Sequence, residues 1–210
     1  MKLALIGYGA LGQQIEGMIS DATPASTTVC FDDNAHRMGG PGARPFASHT
    51  SDDFKDFCFY VCLGYKHLGL KTQLIDRLVE LGRDVPCFVH PNAYVHPSVK
   101  LGAGSVIYAG CTVDRNTTIG RGVLLNIGVV VAHDGAIADG CWFGPGVTLS
   151  GHVTVGATSF LGSGSTVTND VEIGAGAIVG LATAVTKNVG AGASVIGNPM
   201  RVLGRKLNLI

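Results

Sequence analysis

Near the amino end, chemistry is suggested by Gly7-Tyr8-Gly9-Ala10-Leu11-Gly12, a G-x-G-x-x-G run directly after the apolar stretch Lys2–Gly7. Glycines at this spacing let a strand turn sharply into a helix and bring backbone N–H groups against phosphate. Asp32 lies twenty residues beyond Gly12, where a dinucleotide-binding fold keeps its ribose-binding acid. Three readings stay open: an NAD site, a mononucleotide or nucleotide-sugar site, and a tight turn without ligand. The strands that follow are too few for a full dinucleotide domain, which favours the second. The other reactive side chains mainly exclude. Six cysteines, at 30, 58, 62, 87, 111 and 141, show neither C-x-x-C spacing nor a zinc-like pairing with histidine. They read as buried, reduced thiols of a cytosolic protein. A catalytic zinc takes about three protein ligands and an open position. The chain after Leu101 offers only His133 and His152, so neither a zinc hydratase nor any other resident metal is expected.

The elements that carry these residues differ between the two parts of the chain. Residues 1–90 alternate strand and helix. Lys2–Gly7 and Thr27–Phe31 read as strands, with a helix from the glycine run to about Ser20 between them. Phe57–Leu63 is a buried strand, His67–Leu81 an amphipathic helix and Val85–Val89 a last strand. Such alternation implies a small parallel, Rossmann-like sheet with a crevice at its strand ends. The glycine- and proline-rich segment Asp33–Asp53 reads as a mobile loop.

Residues 91–210 repeat. Every sixth residue from Leu101 to Val185 is large and apolar, as in Leu125, Val131, Ile137 and Phe143. Four residues after each stands a small or β-branched one, such as Val129, Gly135, Cys141 and Val147. A glycine often follows the large residue, as in Ile119-Gly120 and Val155-Gly156. Large aliphatics fill a triangular coil, small residues fit beside them, and the glycines would take up the corner dihedrals. Three hexapeptides make a coil of about eighteen residues, stacked as parallel strands. The stretch His90–Val99 leads straight into the coils, leaving hardly a linker and implying rigid apposition of the domains.

Composition agrees and narrows the partners. Of 210 residues 46% are hydrophobic and 14% charged, with 31 glycines and one tryptophan. That profile suits a turn-dense repeat. A formal net charge of zero recommends neither nucleic acid nor an anionic membrane as partner. No apolar run is long enough to span a bilayer, and Gly7-Tyr8-Gly9 cuts the opening apolar stretch too short for a signal peptide. A cytoplasmic protein is expected.

With these features in place, the chain resembles one family. It is similar to bacterial hexapeptide-repeat sugar acyltransferases of the sialic acid O-acetyltransferase and nucleotide-4-aminosugar N-acetyltransferase type. The glycine-rich first domain, the entry His90-Pro91-Asn92-Ala93, the coils and the closing Ile196-Gly197-Asn198-Pro199 carry the likeness. The resemblance implies a left-handed parallel β-helix, acetyl-CoA as co-substrate, a nucleotide-linked amino sugar as acceptor, and a homotrimer with CoA between neighbouring helices.

It also implies roles along Leu125-Asn126-Ile127-Gly128-Val129-Val130-Val131-Ala132-His133-Asp134. His133 becomes the general base, Asp134 the carboxylate that supports it, and Asn126 a residue near the acceptor. An imidazole titrates near neutrality and can take the proton an attacking amine sheds. One coil beyond His133 lies Gly151, whose N–H would face the oxyanion. Trp142, Ser163 and Leu181 fall where relatives contact acetyl-CoA, and Lys187, Arg201, Arg205 and Lys206 would suit its phosphates. Gly9, Ala10 and Leu11 match the phosphate loop, Asp32 and Asp33 the base-and-ribose contact, and Gly64 a further substrate position. Relatives usually carry histidine in place of Leu11 and of Trp142, and Gly64-Tyr65-Lys66 departs from their pattern as well. Two rivals stay open: O-acetylation of a sugar such as sialic acid, and a β-helical binding protein without turnover.

Overall fold

The computed structural model describes residues 1–204. Chain contacts divide it into two compact units, residues 1–88 and 89 onward. No helix among the described residues is long and apolar enough to cross a membrane.

The first unit is a parallel four-stranded sheet. Its strands are β1 (Lys2–Ile6), β2 (Thr27–Phe31), β3 (Ala43–Arg44) and β4 (Cys58–Val61), in the order β3-β2-β1-β4. Leu3, Ala4 and Leu5 are all fully buried, so both faces of the central strand are covered, as a parallel sheet requires. Helix α1 (Ala10–Ala22) buries Gly12, Ile15 and Ile19. Helix α2 spans Asp33–Arg37, and α3 (Leu68–Glu80) buries Leu68, Lys71, Ile75 and Leu78. In both long helices the buried positions fall on one stripe.

Two expectations fail in this unit. Val85–Val89 adds no strand to the sheet: only a single bridge, Cys58 to Asp84, forms there. Phe88–Val89 instead opens the eight-stranded sheet of the coils. Nor is Asp33–Asp53 an unstructured loop, since it holds α2, β3 and 3₁₀ turns at Phe46–Thr50 and Asp52–Phe54. Asp32 starts α2 by accepting from the N–H groups of Asn34 and Ala35, the usual N-cap device. Phe54 closes the segment against the buried Phe31, with ring centroids 4.9 Å apart.

The second unit is a parallel β-solenoid with three faces of two-residue strands. The eight-stranded face runs from Phe88–Val89 to Arg201–Leu203, the six-stranded face from Tyr94–Val95 to Ala184–Val185, and the five-stranded face from Lys100–Leu101 to Glu172–Ile173. Stacked partners such as Val106 and Leu124 are 18 residues apart. The second residue of each strand points inward: Ile107, Val113, Ile119, Leu125, Val131, Ile137 and Phe143 are all at most 2% exposed. Leu101 is only half-buried, because its strand is the edge of its face. Coiling begins earlier than Leu101, since His90–Val99 already carries the strand Tyr94–Val95. It ends with a short coil, in which Ile178 pairs with Ser194. After Asn198-Pro199, a cis peptide, Arg201–Leu203 pairs antiparallel with Ser194–Ile196.

The corners also depart from expectation. Glycine directly after the large residue does not supply the turn dihedrals. Left-handed backbone recurs every six residues from Gly104 to Ala182, through Gly110, Asn116, Gly122, Gly128 and Asp134. That position lies three residues after the large one. The glycine directly after it serves close stacking instead: a Cβ on Gly156 would lie 2.4 Å from the backbone N of Ala175 and 2.7 Å from its Cα. Backbone cannot swing aside as a side-chain tip can. Gly156→Ala is therefore expected to destabilise the solenoid by about 1–3 kcal/mol, the usual cost of overpacking. A thermal melt checks this, at roughly 2–4 °C of midpoint per kcal/mol.

Candidate active site

The corner between the six- and five-stranded faces differs from the others in its left-handed residues. On the corner before it these are glycines 110, 128, 146 and 164, followed by Ala182. Here they are Asn116, Asp134, His152 and Asp170, with φ of 58–59°. Such side chains tolerate this region better than most, though at some cost. Each stands one coil above the next, tied by bonds such as Asp134 N to Arg115 O, 3.0 Å, and His152 N to His133 O, 3.1 Å. This edge of the solenoid thus displays a fixed ladder of polar groups.

His133 precedes Asp134 on that ladder. Its Nδ1 lies 2.8 Å from Asp134 Oδ2, and the two side chains are 39% and 36% exposed. Asp134 Oδ1 accepts from Asn116 Nδ2 at 3.0 Å. These two hydrogen bonds, that from His133 first, hold the Asp134 carboxyl below its ordinary pKa. An ionised carboxylate can only accept, so Nδ1 carries the imidazole proton and Nε2 keeps its lone pair.

Gly151 is what gives the imidazole its place. A Cβ there would lie 2.7 Å from His133 Cε1 and 2.9 Å from Nε2, so the ring packs directly against the glycine through that side. Gly151 O accepts from Asp170 N at 3.2 Å, while its own N–H has no partner among the described residues. His152 completes the cluster, with its ring edge-on to His133 at 5.2 Å between centroids. Asn116 escaped the sequence reading, and His152 was weighed there only as a zinc ligand and not as a neighbour of the pair. Counting eighteen residues either way from Asp134 would have found both.

Not all expected partners meet here. Asn126, Ser163 and Leu181 sit on the neighbouring corner, between the eight- and six-stranded faces. The Asn126 side chain there accepts from Ile127 N at 2.8 Å. Leu181 is 71% exposed and Ile127 58%, and between the two edges runs a face of small residues with Val130 and Tyr94 exposed. Trp142 is buried on the outer side of the eight-stranded face, in a column with Val106 and Leu124. Of the basic end, Lys187 and Arg201 are exposed, whereas Arg205 and Lys206 lie outside the described residues.

In the first unit, Gly7 and Gly12 are structural. Gly7 takes φ 88°, and a Cβ on Gly12 would meet Gly7 O at 2.4 Å. A Cβ on Gly9 would meet nothing within 4 Å, and the residue starts α1, which has neither a side-chain cap nor an acidic residue in its first turn. With Ala10 and Leu11 it presents an open, partly positive helix end. Asp32 is committed to local structure: Oδ2 accepts from Tyr8 N at 2.8 Å and Oδ1 from Asn34 N and Ala35 N. Burial works to raise its pKa, but these backbone donors and Arg37 outweigh it and the net direction is down. Asp33 accepts from Phe46 N at 2.9 Å. The Tyr8 hydroxyl donates to Glu16, which pushes it up to about 12. Gly64 opens the 3₁₀ turn Tyr65–His67.

The second unit thus combines stacked hexapeptide coils with a solvent-reaching histidine–carboxylate pair at one corner. Several solved structures are similar to the chain. The acetyltransferase domain of PglB from Neisseria gonorrhoeae, in complex with acetyl coenzyme A, matches at TM-score 0.86 and 27% identity, covering 96% of this chain and 98% of that one. A variant of perosamine N-acetyltransferase from Caulobacter crescentus, in complex with CoA and GDP-perosamine, matches at TM-score 0.89 and 27% identity, covering 98% of both. WeeI from Acinetobacter baumannii matches at TM-score 0.87 and 24% identity, covering 97% of this chain and 100% of that one, a likeness of fold. No protein-family profile and no curated protein matches the sequence. In fold and over nearly its whole length the chain is thus similar to sugar N-acetyltransferases of the hexapeptide-repeat kind.

Proposed function

We propose that the chain transfers acetyl from acetyl-CoA to the amino group of a nucleotide-linked 4-amino sugar, by direct attack on the thioester. The observation that carries this is the His133–Asp134 pair, with Nε2 uncommitted beside the unpartnered N–H of Gly151. The two relatives bound to acetyl-CoA, or to CoA and a GDP-linked amino sugar, support the same class of substrates.

The step runs as follows. The sugar nitrogen bonds to the thioester carbonyl carbon, and the carbonyl electron pair moves onto oxygen, where Gly151 N–H donates to it. Nε2 takes the proton the nitrogen sheds, and Asp134 stabilises the imidazolium. Collapse of the tetrahedral intermediate expels the CoA sulfur, which leaves with that proton.

The coil is read as left-handed and the first unit as a Rossmann-like nucleotide site, with Gly9, Ala10 and Leu11 on the phosphates. Asp32 and Asp33 shape the base-and-ribose side, and Gly64 borders it. Ser163 and Leu181 line the acyl-CoA path, with Trp142 acting through its backbone and Lys187 and Arg201 toward the phosphates. The face of small residues between the two edges suits burial against a second and third copy. Such a homotrimer would bring Asn126 of one subunit toward the His133 edge of another. Acetyl-CoA as donor implies a cytoplasmic site of action.

The test is initial-rate CoA release from acetyl-CoA across UDP-, dTDP- and GDP-linked 4-amino sugars and free sialic acid. Turnover on one nucleotide-linked amino sugar is expected. Activity on sialic acid alone would move the reaction to O-acetylation, and none on any acceptor would sink the proposal.

A further inference from the structure

The proton between His133 and Asp134 sits where a metal ion could replace it. His133, Asp134 and His152 each offer a ligand atom, and these atoms all lie within 4.8 Å of one another. Two imidazoles and a carboxylate are a ligand set for Zn²⁺ and its analogue Co²⁺, with a fourth position left to water. Tetrahedral coordination at about 2.0–2.1 Å separates ligand atoms by roughly 3.3 Å. The 2.8 Å His133–Asp134 contact would have to open slightly and the His152 ring to close in. Both histidines and the aspartate reach solvent, so their side chains have room to do so.

The backbone under the three ligands is fixed. Asp134 and His152 occupy the same left-handed position in successive coils, joined through the ladder bond from His152 N to His133 O. The site also has the outer support that metal ligands usually have. Asn116 Nδ2 holds the second oxygen of Asp134, which leaves Oδ2 pointing at the histidines. The absence of a side chain at Gly151 leaves the His133 ring the room it occupies.

We propose that His133, Asp134 and His152 form an inhibitory site for a zinc-like divalent cation, which switches the base off by taking His133 Nδ1. The off state rests on the reading of His133 as the base. A neutral imidazole carries one proton. With the metal on Nδ1 that proton must sit on Nε2, the atom that has to accept a proton from the sugar amine. The ring stays in place, and the nitrogen facing the substrates has no lone pair left to offer.

Binding is read without substrates, by titrating the full chain with Co²⁺. The expected result is the strong visible absorption of tetrahedral Co²⁺, at one ion per chain and displaced by Zn²⁺. His152→Asn keeps a residue tolerant of φ 59° and removes one ligand; it should weaken Co²⁺ binding roughly 10- to 100-fold, at least what losing a supporting partner costs. Only the weak spectrum of aqueous Co²⁺ in the wild type, or equal binding by His152→Asn, would overturn the site. CoA release then tests the off state: Zn²⁺ at the displacing concentration should stop the wild type and spare His152→Asn. Continued turnover by metal-loaded wild type would overturn that part. Because the Co²⁺ spectrum needs no acceptor, a failure of metal binding is distinguishable from a failure of the acyltransferase reading.

Discussion

His133→Ala is expected to lower acetyl transfer by about 10²–10⁴-fold, the usual worth of a positioned general base. The side chain is 39% exposed and its one hydrogen bond goes to Asp134, so the coil should keep its melting temperature. Affinity for acetyl-CoA should hardly change, because proton removal matters only as the new bond forms. The substitution also has a readout that needs no substrate. Asp134 owes its low pKa first to the hydrogen bond from His133 and next to that from Asn116. Removing His133 should raise the Asp134 pKa toward the ordinary carboxylate value, visible in an NMR titration of its side-chain carboxyl. A variant with wild-type turnover would remove His133 from the mechanism altogether. One with lost turnover and an unmoved Asp134 pKa would mean that the pair is not joined in solution.

The hexapeptide register was legible because burial inside a narrow coil is strict: the large inward positions such as Leu125, Phe143 and Leu161 are fully covered and all apolar, and the buried polar residues beside them, such as Ser105 and Thr117, are small. The same register extends back to Val95 and Val89, but the prolines at 91 and 97 and the short strands hid it. The corners were read one step wrong. Glycine is demanded there by two different constraints, positive φ at residues such as Gly128 and backbone contact at residues such as Gly156. Composition alone does not separate them. In the first unit, α2 and β3 were missed because both are very short. Their stability comes from the Asp32 cap and the Phe31–Phe54 contact rather than from propensity. The site was half legible. A count of eighteen from His133 reached Gly151, and the same count applied to Asp134 reaches both Asn116 and His152, since stacking makes every eighteenth residue a neighbour.

Gly151→Ala should then be the second large loss, for a geometric reason. The new Cβ would stand 2.7 Å from His133 Cε1 and 2.9 Å from Nε2, well inside van der Waals contact. Gly151 is not among the positions with positive φ, so alanine costs the backbone nothing there. The imidazole is the more mobile party and has solvent to move into. It should swing outward by about an ångström or more, leaving the coil intact and the base displaced. A misplacement of that size is worth about 10²-fold in rate. The amide N–H at residue 151 survives the substitution, so lost turnover would report the position of the base and not a missing oxyanion donor. The measurement pairs kcat with a thermal melt. A fall in kcat near a hundredfold with an unchanged melting temperature supports the packed imidazole as the working one. Unchanged kcat would mean that His133 does its chemistry from some other rotamer, and a collapse of the melting temperature would move Gly151 into the same structural class as Gly156.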